Sequence, residues 1–290
     1  MTVLRQKMIE DMQLRGLSAK TQESYLRTVR QISEHHKKSP DRISENELRR
    51  YFLYLTNVRE ISRSYCIIAI CGLKFFFERT LGKNWPTFEL VKPKPGRKLP
   101  VVLSKKEVQN ILSRIRHRKY QVCLGLIYAC GLRLKEGVYL KVTDVDPERM
   151  QVHIHQGKGG VDRYVPLPRR TYENLRQYWK GHGHPVWLFP AKTPTGISPS
   201  QATGPMCPST VQKTMRAAVK ESGIKKRATV HTLRHSYATH LYEAGVRLRL
   251  IQSYLGHRSY RSTLIYTHLT SKMKQSAVEI IDQTIDTIWV

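Results

Sequence analysis

The stretch HTLRHSYATH (residues 231–240) places three histidines and an arginine within ten positions. At helical spacing His231, Arg234 and His235 fall at i, i+3 and i+4 and share one face. Leu233, Tyr237, His240, Leu241 and Ala244 make the opposite, more apolar face. Two histidines four apart suggest zinc, but the hydrolytic zinc motif carries a glutamate directly after its first histidine. Here that position is Thr232, and the face carries a cation, Arg234, in place of a carboxylate. A guanidinium beside imidazoles disfavours a divalent metal and suits a phosphate.

The composition points the same way. The chain has 290 residues, enough for two domains with their own cores, and a net charge of +28. Residues 96–290 carry 32 of the 50 lysines and arginines against 12 acidic residues, so the second part is the more basic. A surface so self-repelling implies a polyanionic partner. Apolar residues make up 40% and run along the whole chain, which excludes a disordered basic tail. Five cysteines (Cys66, Cys71, Cys123, Cys130, Cys207) form no CxxC pair, and most sit in apolar company, as in CIIAIC and VCLGLIYAC. They read as reduced residues of a cytoplasmic protein. The N-terminus lacks a signal-peptide core, and the apolar runs near 65–77 and 122–132 are too short to span a bilayer.

Residues 1–85 read as a helical domain. Ser18 precedes Tyr25, Leu26, Val29 and Ile32 at helical spacing, and SENE (44–47) is a capping box ahead of Leu48, Tyr51, Phe52 and Leu55. A long apolar helix follows in ISRSYCIIAICGLKFFFERTLG, ending near Gly82, with Phe75–Phe77 in the core. Residues 86–100, rich in proline and basic side chains, read as an extended linker that includes Arg97 and Lys98. A second capping box, SKKE (104–107), opens a domain over 101–290. Within it, alternation at Met150, Val152 and Ile154, glycines at 157–160, and Tyr164, Val165 and Leu167 predict a β-hairpin. Segments 171–180, 209–222, 232–244, 247–255 and 261–269 predict helices. The expected fold class is mainly α: an N-terminal helical domain, then a mostly helical domain with a small sheet.

Three further stretches join the opening one. CGLRLKEG (130–137) and GKGG (157–160) precede it, and YLGHRSYRSTLIYTHL (254–269) follows. The set and its order resemble the tyrosine recombinase, or phage integrase, family: an arginine in G-L-R-x-x-E, a lysine on a β-hairpin, H-x-L-R-H, L-G-H, and a tyrosine nine residues after that histidine. These fall on Arg133 with Glu136, Lys158, His231 with Arg234 and His235, His257, and Tyr266. The helical first domain is similar to the family's SAM-like DNA-clamping domain, so the resemblance covers nearly the whole chain. One departure is Lys135, where the family often has a small residue.

The resemblance implies a site-specific recombinase of double-stranded DNA that works through a 3′-phosphotyrosine without metal, ATP or other cofactor. It makes Tyr266 the nucleophile, Arg133 and Arg234 forks on the phosphate, His257 a further donor and Lys158 the general acid. His231 accepts or relays the tyrosine proton, since a phenol titrating near ~10 is a poor nucleophile at neutral pH. Glu136 supports Arg133, His235 stands behind the arginines, and Arg163, Lys135, Arg97 and Lys98 are expected on DNA. No GxxxxGK[ST] loop is present, in keeping with a covalent intermediate that conserves bond energy. Tyr260 lies only three residues past His257, so Tyr266 is preferred. His153, His155, His182 and His184 have no partner at metal spacing and read as solvated. In the tail, Val278, Ile281, Ile285 and Ile288 repeat at helical spacing. The resemblance implies that this helix docks on a neighbouring protomer of a DNA-bound tetramer. Competing readings are a type IB topoisomerase or hairpin-end resolvase with the same chemistry, and a DNA-binding protein without catalysis. The expected setting is a mobile element that integrates and excises.

Overall fold

The computed structural model describes residues 2–92, 99–155, 162–194 and 197–268. The chain divides into two compact units, Met1–Arg97 and Lys98–Val290. The turn with Lys158, the linker residues Arg97 and Lys98, and the tail helix lie outside the described residues.

The first unit is helical: α1 (Val3–Leu14), α2 (Ala19–His36), α3 (Glu45–Asn57), α4 (Arg63–Lys74) and the single turn α5 (Thr87–Leu90). Ser18 caps α2 by accepting from the Thr21 amide at 3.3 Å. At α3 the capping box closes both ways, with Ser44 N donating to Glu47 at 2.8 Å and Glu47 N to Ser44 Oγ at 3.4 Å. Gly72 lets α4 lie against α2, because a Cβ there would stand 2.3 Å from Thr28 Oγ1 and 3.1 Å from the Tyr25 backbone. The apolar helix does run on to Gly82, which is left-handed (φ 72°), but over Phe75–Thr80 it widens into a π-helical turn. An α-helix would spread three consecutive side chains over about 200° of arc. The wider turn lets Phe75, Phe76 and Phe77 all enter the core.

Packed structure continues past residue 85, into the stretch expected to be linker. Phe88 is buried between Phe52 and Phe77, and Thr87 is held by Glu45, whose Oε1 accepts from Thr87 N at 3.0 Å and Oγ1 at 2.7 Å. The proline-rich composition masked this anchor because one phenylalanine suffices to make it.

The second unit contains α6 (Lys105–Ser113), α7 (Arg118–Ala129), α8 (Leu134–Val138), α9 (Arg169–Lys180), α10 (Pro208–Glu221), α11 (Val230–Glu243) and α12 (Leu248–Leu255). Its sheet is antiparallel in the order β1 (Val145–Asp146), β2 (Gln151–Ile154), β3 (Arg163–Pro166). The hairpin register pairs Val152 with Val165 and Ile154 with Arg163. Val152, Ile154 and Val165 face the core, and the two-residue β1 adds an edge that the sequence did not announce. Helix α7 is the centre of the core: Cys123, Leu124, Leu126, Ile127 and Cys130 are fully buried, with α6, α8, α9, α10 and α11 packed around it. Ser236 on α11 accepts from Leu103 N at 2.9 Å, fixing the chain where it enters this unit.

Two helical expectations change. Helix α11 is not two-faced: Arg234 is 1% exposed, and Thr232, Leu233, Ser236, Tyr237, Ala238 and Thr239 are buried with it. Segment 261–269 is not an α-helix over its described part but two short 3₁₀ turns, Tyr260–Ser262 and Leu264–His268.

Candidate active site

The site is organised by Glu136, in the first turn of α8. Its carboxylate accepts from Arg133 N at 2.8 Å and Arg133 Nη1 at 2.6 Å. It also takes the fork of Arg163 from β3, at 3.1 and 2.6 Å. Arg234 Nη1 lies 3.8 Å away. Burial alone would raise this carboxyl, but the bonds and charge of Arg163, then those of Arg133, outweigh it and hold the group at about 2. Glu136 is a fixed anion around which three cations are arranged.

A second hub is the C-terminus of α12. Its last carbonyls lack helical partners and carry the negative end of the helix dipole, so they attract cations. Each arginine takes one. Arg163 Nε donates to Tyr254 O at 2.7 Å, Arg234 Nη2 to Leu255 O, and Arg133 Nη2 to Gly256 O at 3.2 Å. Gly256 ends the helix in the left-handed region (φ 59°), and a Cβ there would meet Arg163 Cδ at 3.0 Å. Arg234 Nη1 also donates to Gly131 O at 2.7 Å. Gly131 is left-handed too, and a Cβ there would strike the Tyr237 ring at 2.3 Å. The L-G-H segment thus holds the arginines as well as presenting His257.

The imidazoles and the phenol lie together on the other side of Arg234. His235 Nδ1 is 3.1 Å from Tyr266 Oη, and the His231 ring meets His235 edge-on with centroids 4.5 Å apart. The His257 ring is nearly parallel to Tyr266 at 6.5 Å, and its Nδ1 is bonded to the buried Thr263 hydroxyl at 2.9 Å. Burial, then the Arg234 and Arg133 charges, push His257 down to about 3. Burial, with His231 and Arg234, puts His235 at about 4. Desolvation, then Arg234 and Arg133, lowers His231 as well, although that residue stands at the exposed edge. All three are neutral at pH 7 and can accept or relay a proton. Tyr266 is fully buried, and burial raises its phenol to about 12 despite the opposing charge of Arg234 and Arg133. In this conformation the phenol is protonated and hydrogen-bonded to His235 Nδ1.

The structure brings Arg133, Arg234, His231, His257, Tyr266, Glu136 and His235 into one cluster, drawn from α8, α11 and the segment after α12. Lys135 is exposed on α8. Arg163, expected on DNA, is 8% exposed and turned inward, with Nη1 and Nη2 on Glu136 and Nε on Tyr254 O. The partner of the phenol is His235, not the expected His231, because α11 turns His235 toward the 264–268 turn. Thr263 carried no sequence signal, since its bond to His257 exists only once the chain has turned back. The solvated reading holds for the exposed His155 and fails most clearly for His184. His184 is 3% exposed, with Nδ1 accepting from Val186 N at 3.0 Å and Trp187 N at 2.8 Å, while Nε2 donates to Ala202 O at 2.9 Å. His182 Nδ1 accepts from His184 N at 3.1 Å, and His153 and His155 lie against Asp162.

Residues 101–273 match the phage integrase family and residues 4–87 its N-terminal SAM-like domain. The chain is 42% identical to the integrase/recombinase y4qK of Sinorhizobium fredii over 93% of its own length and 86% of the relative. It is 33% identical to the tyrosine recombinase XerA of Pyrococcus furiosus over 73% of this chain and 72% of that one. A crystal structure of XerA recombinase superposes over 95% of this chain and 97% of the other, with a TM-score of 0.54 and 26% identity. The Tn1549 transposon integrase in complex with transposon end DNA shares the fold, with a TM-score of 0.72 and 19% identity over 97% and 100%. Fold and site together define a site-specific recombinase of the tyrosine type. The chain belongs to the phage integrase family.

Proposed function

We propose that this chain cuts and reseals double-stranded DNA with Tyr266 as nucleophile, in the integration and excision of a mobile element. The observation that carries it is a buried phenol that feels the charges of both Arg133 and Arg234 and whose oxygen is already bonded to a neutral imidazole. His235, relayed through His231, takes the phenolic proton as the oxygen attacks phosphorus. The P–O5′ bond breaks, its electron pair leaves on the 5′ oxygen, and Lys158 protonates it. Arg133, Arg234 and His257 bind the non-bridging oxygens as charge grows on them and lower the barrier; loss of one donor aimed at such developing charge costs about 2.7–4 kcal/mol in an acyl-transfer oxyanion hole. Rejoining is the reverse, so the bond energy stays in the phosphotyrosine and no nucleotide is consumed. Because Tyr266 is fully buried, cleavage requires the 264–268 turn to carry it out to the phosphate.

Arg163 and Glu136 position the other arginines. DNA is the partner that the +28 charge and the DNA complexes of structurally similar integrases support, with the exposed Lys135, together with Arg97 and Lys98, contacting its backbone. We further read the synaptic assembly as a tetramer joined by the tail helix. The reaction belongs in the cytoplasm, where free thiols such as these five persist; among the described residues no helix is long and apolar enough to cross a membrane. The test is a DNA duplex nicked beside the cleavage point, which traps the covalent adduct. The parent should become attached at the 3′ end of the cut strand and Tyr266→Phe should not, while both bind the site alike. A parent that cleaves without becoming attached overturns the proposal.

A further inference from the structure

The exposed face of the β2–β3 hairpin carries a group of side chains that the recombination chemistry does not use. His153 and His155 project from the same face of β2, and Asp162 lies across from them just before β3. His153 Nε2 is 3.2 Å from Asp162 Oδ2, His155 Nδ1 is 3.5 Å from the same oxygen, and the three donor atoms lie within 4.8 Å of one another. The two rings are 3.9 Å apart, and Tyr164 stacks on His153 at 4.5 Å and 13°, fixing that ring.

The far side of His155 gives the group its meaning. Its Nε2 is 2.9 Å from Oδ1 of Asp144, a carboxylate only 6% exposed whose other oxygen accepts from Lys141 N at 2.8 Å. A neutral imidazole has one N–H and one lone pair. With the N–H donated to Asp144, the lone pair on Nδ1 of a neutral ring would face a second carboxylate, acceptor against acceptor. A proton or a metal ion between them removes the conflict, and the second imidazole on the same Asp162 oxygen suits a metal ion. A tetrahedral zinc with ligands at about 2.0–2.2 Å needs donor atoms about 3.3–3.6 Å apart, and the two contacts to Asp162, at 3.2 and 3.5 Å, are close to that spacing. The Asp144–His155 bond is the carboxylate–imidazole support that sets tautomer and orientation in zinc sites.

We propose that His153 Nε2, His155 Nδ1 and Asp162 Oδ2 bind one zinc ion, with Asp144 as the carboxylate behind His155. The two carboxylates balance the ion's charge locally, in a chain otherwise strongly basic. Imidazole nitrogens select zinc over magnesium. The ion would pin β2 to β3. It takes no part in strand cleavage, so this inference stands apart from the proposed function.

The test is a titration of the full chain, stripped with chelator, with zinc alone, followed by calorimetry and by the melting temperature. One ion should bind per chain and raise the melting temperature, and excess magnesium should not compete. His155→Ala and Asp162→Ala should lose at least 100-fold in affinity. Asp144→Asn should lose 10–100-fold, as measured for such supporting groups. Asp162 is about half exposed, so its variant should melt close to the parent when metal-free, whereas His155→Ala also takes the hydrogen bond from the buried Asp144 and should melt lower. His153→Gln provides a further variant of the same site if either fails to fold. Absence of binding at 100-fold molar excess, equal binding by parent and His155→Ala, or displacement by magnesium would each overturn the proposal. Covalent DNA attachment by the zinc-free protein would leave the proposed function intact either way.

Discussion

Replacing Glu136 by glutamine keeps the side chain's shape and removes the charge that holds three guanidinia together. The carboxylate accepts four hydrogen bonds from Arg133 and Arg163, at 2.6 to 3.1 Å, and Arg234 stands 3.8 Å away. In the variant one oxygen becomes an NH₂ that points at a guanidinium, and buried Arg163 and Arg234 lose their counter-ion. The carboxyl falls from 4.5 to about 2 in the folded protein. At 1.36 kcal/mol per pH unit this is about 3 kcal/mol of stability. The side chain is only 9% exposed, so solvent screening takes little from the figure. It also lies at the low end of the range for breaking a buried ion pair, about 3–5 kcal/mol. For a unit of this size the melting temperature should drop by about 6–12 °C. The folded value lies below the unfolded one, so the contribution is complete above pH 4.5 and is lost as pH falls toward about 2. Urea unfolding of parent and Glu136→Gln at pH 7, 4 and 2.5 checks both statements: the two curves should differ most at pH 7 and approach each other in acid. A variant within about 1 kcal/mol of the parent at neutral pH, or a gap that does not narrow in acid, would refute the hub.

Gly131→Ala places a Cβ 2.3 Å from the Tyr237 ring at a left-handed φ, and should destabilise by about 2–4 kcal/mol from overpacking and strain together, read by denaturant midpoint. His235→Ala should slow single-turnover cleavage more than His231→Ala, because only His235 touches the phenol; the reverse order would return the base role to His231. His235 is lowered to about 4, so the unfolded chain binds its proton first as pH falls. Stability should therefore decline between pH 6.5 and about 4, and the decline should be shallower in His235→Leu by thermal melting. Lys135→Ala should weaken DNA binding evenly across sequences and lower the slope of log K against log salt by about 1, in fluorescence titrations at several salt concentrations.

The chemistry-bearing motifs were legible because each is a short local pattern. A capping box such as Ser44–Glu47 or Ser104–Glu107 is complete within four residues, and its bonds close in the structure as the spacing requires. The helices named by apolar periodicity formed for the same reason: burial of one stripe is decided by residues three and four apart. Arg133, Arg234 and the nearby histidines and tyrosine could be named from order and spacing, and they do lie together.

What each does with its atoms was decided in three dimensions. Arg163 read as a cation for DNA, since a side chain in a basic hairpin is normally solvated. Only the approach of β3 to α8 and α12 turns it inward onto Glu136 and Tyr254 O, 27 and 91 residues away in sequence. The choice between His231 and His235 depends on where the chain comes back after α12, and residues 261–268 form tight turns in place of a helix and bury Tyr266 against α11. His153 and His155 seemed isolated because their carboxylates lie across a strand pair and at the end of a short 3₁₀ turn, Val142–Asp144. Identity, charge and local period travel with the sequence. Which lone pair meets which donor depends on packing that brings distant segments within 3 Å, and for buried ions that contact sets both protonation and role.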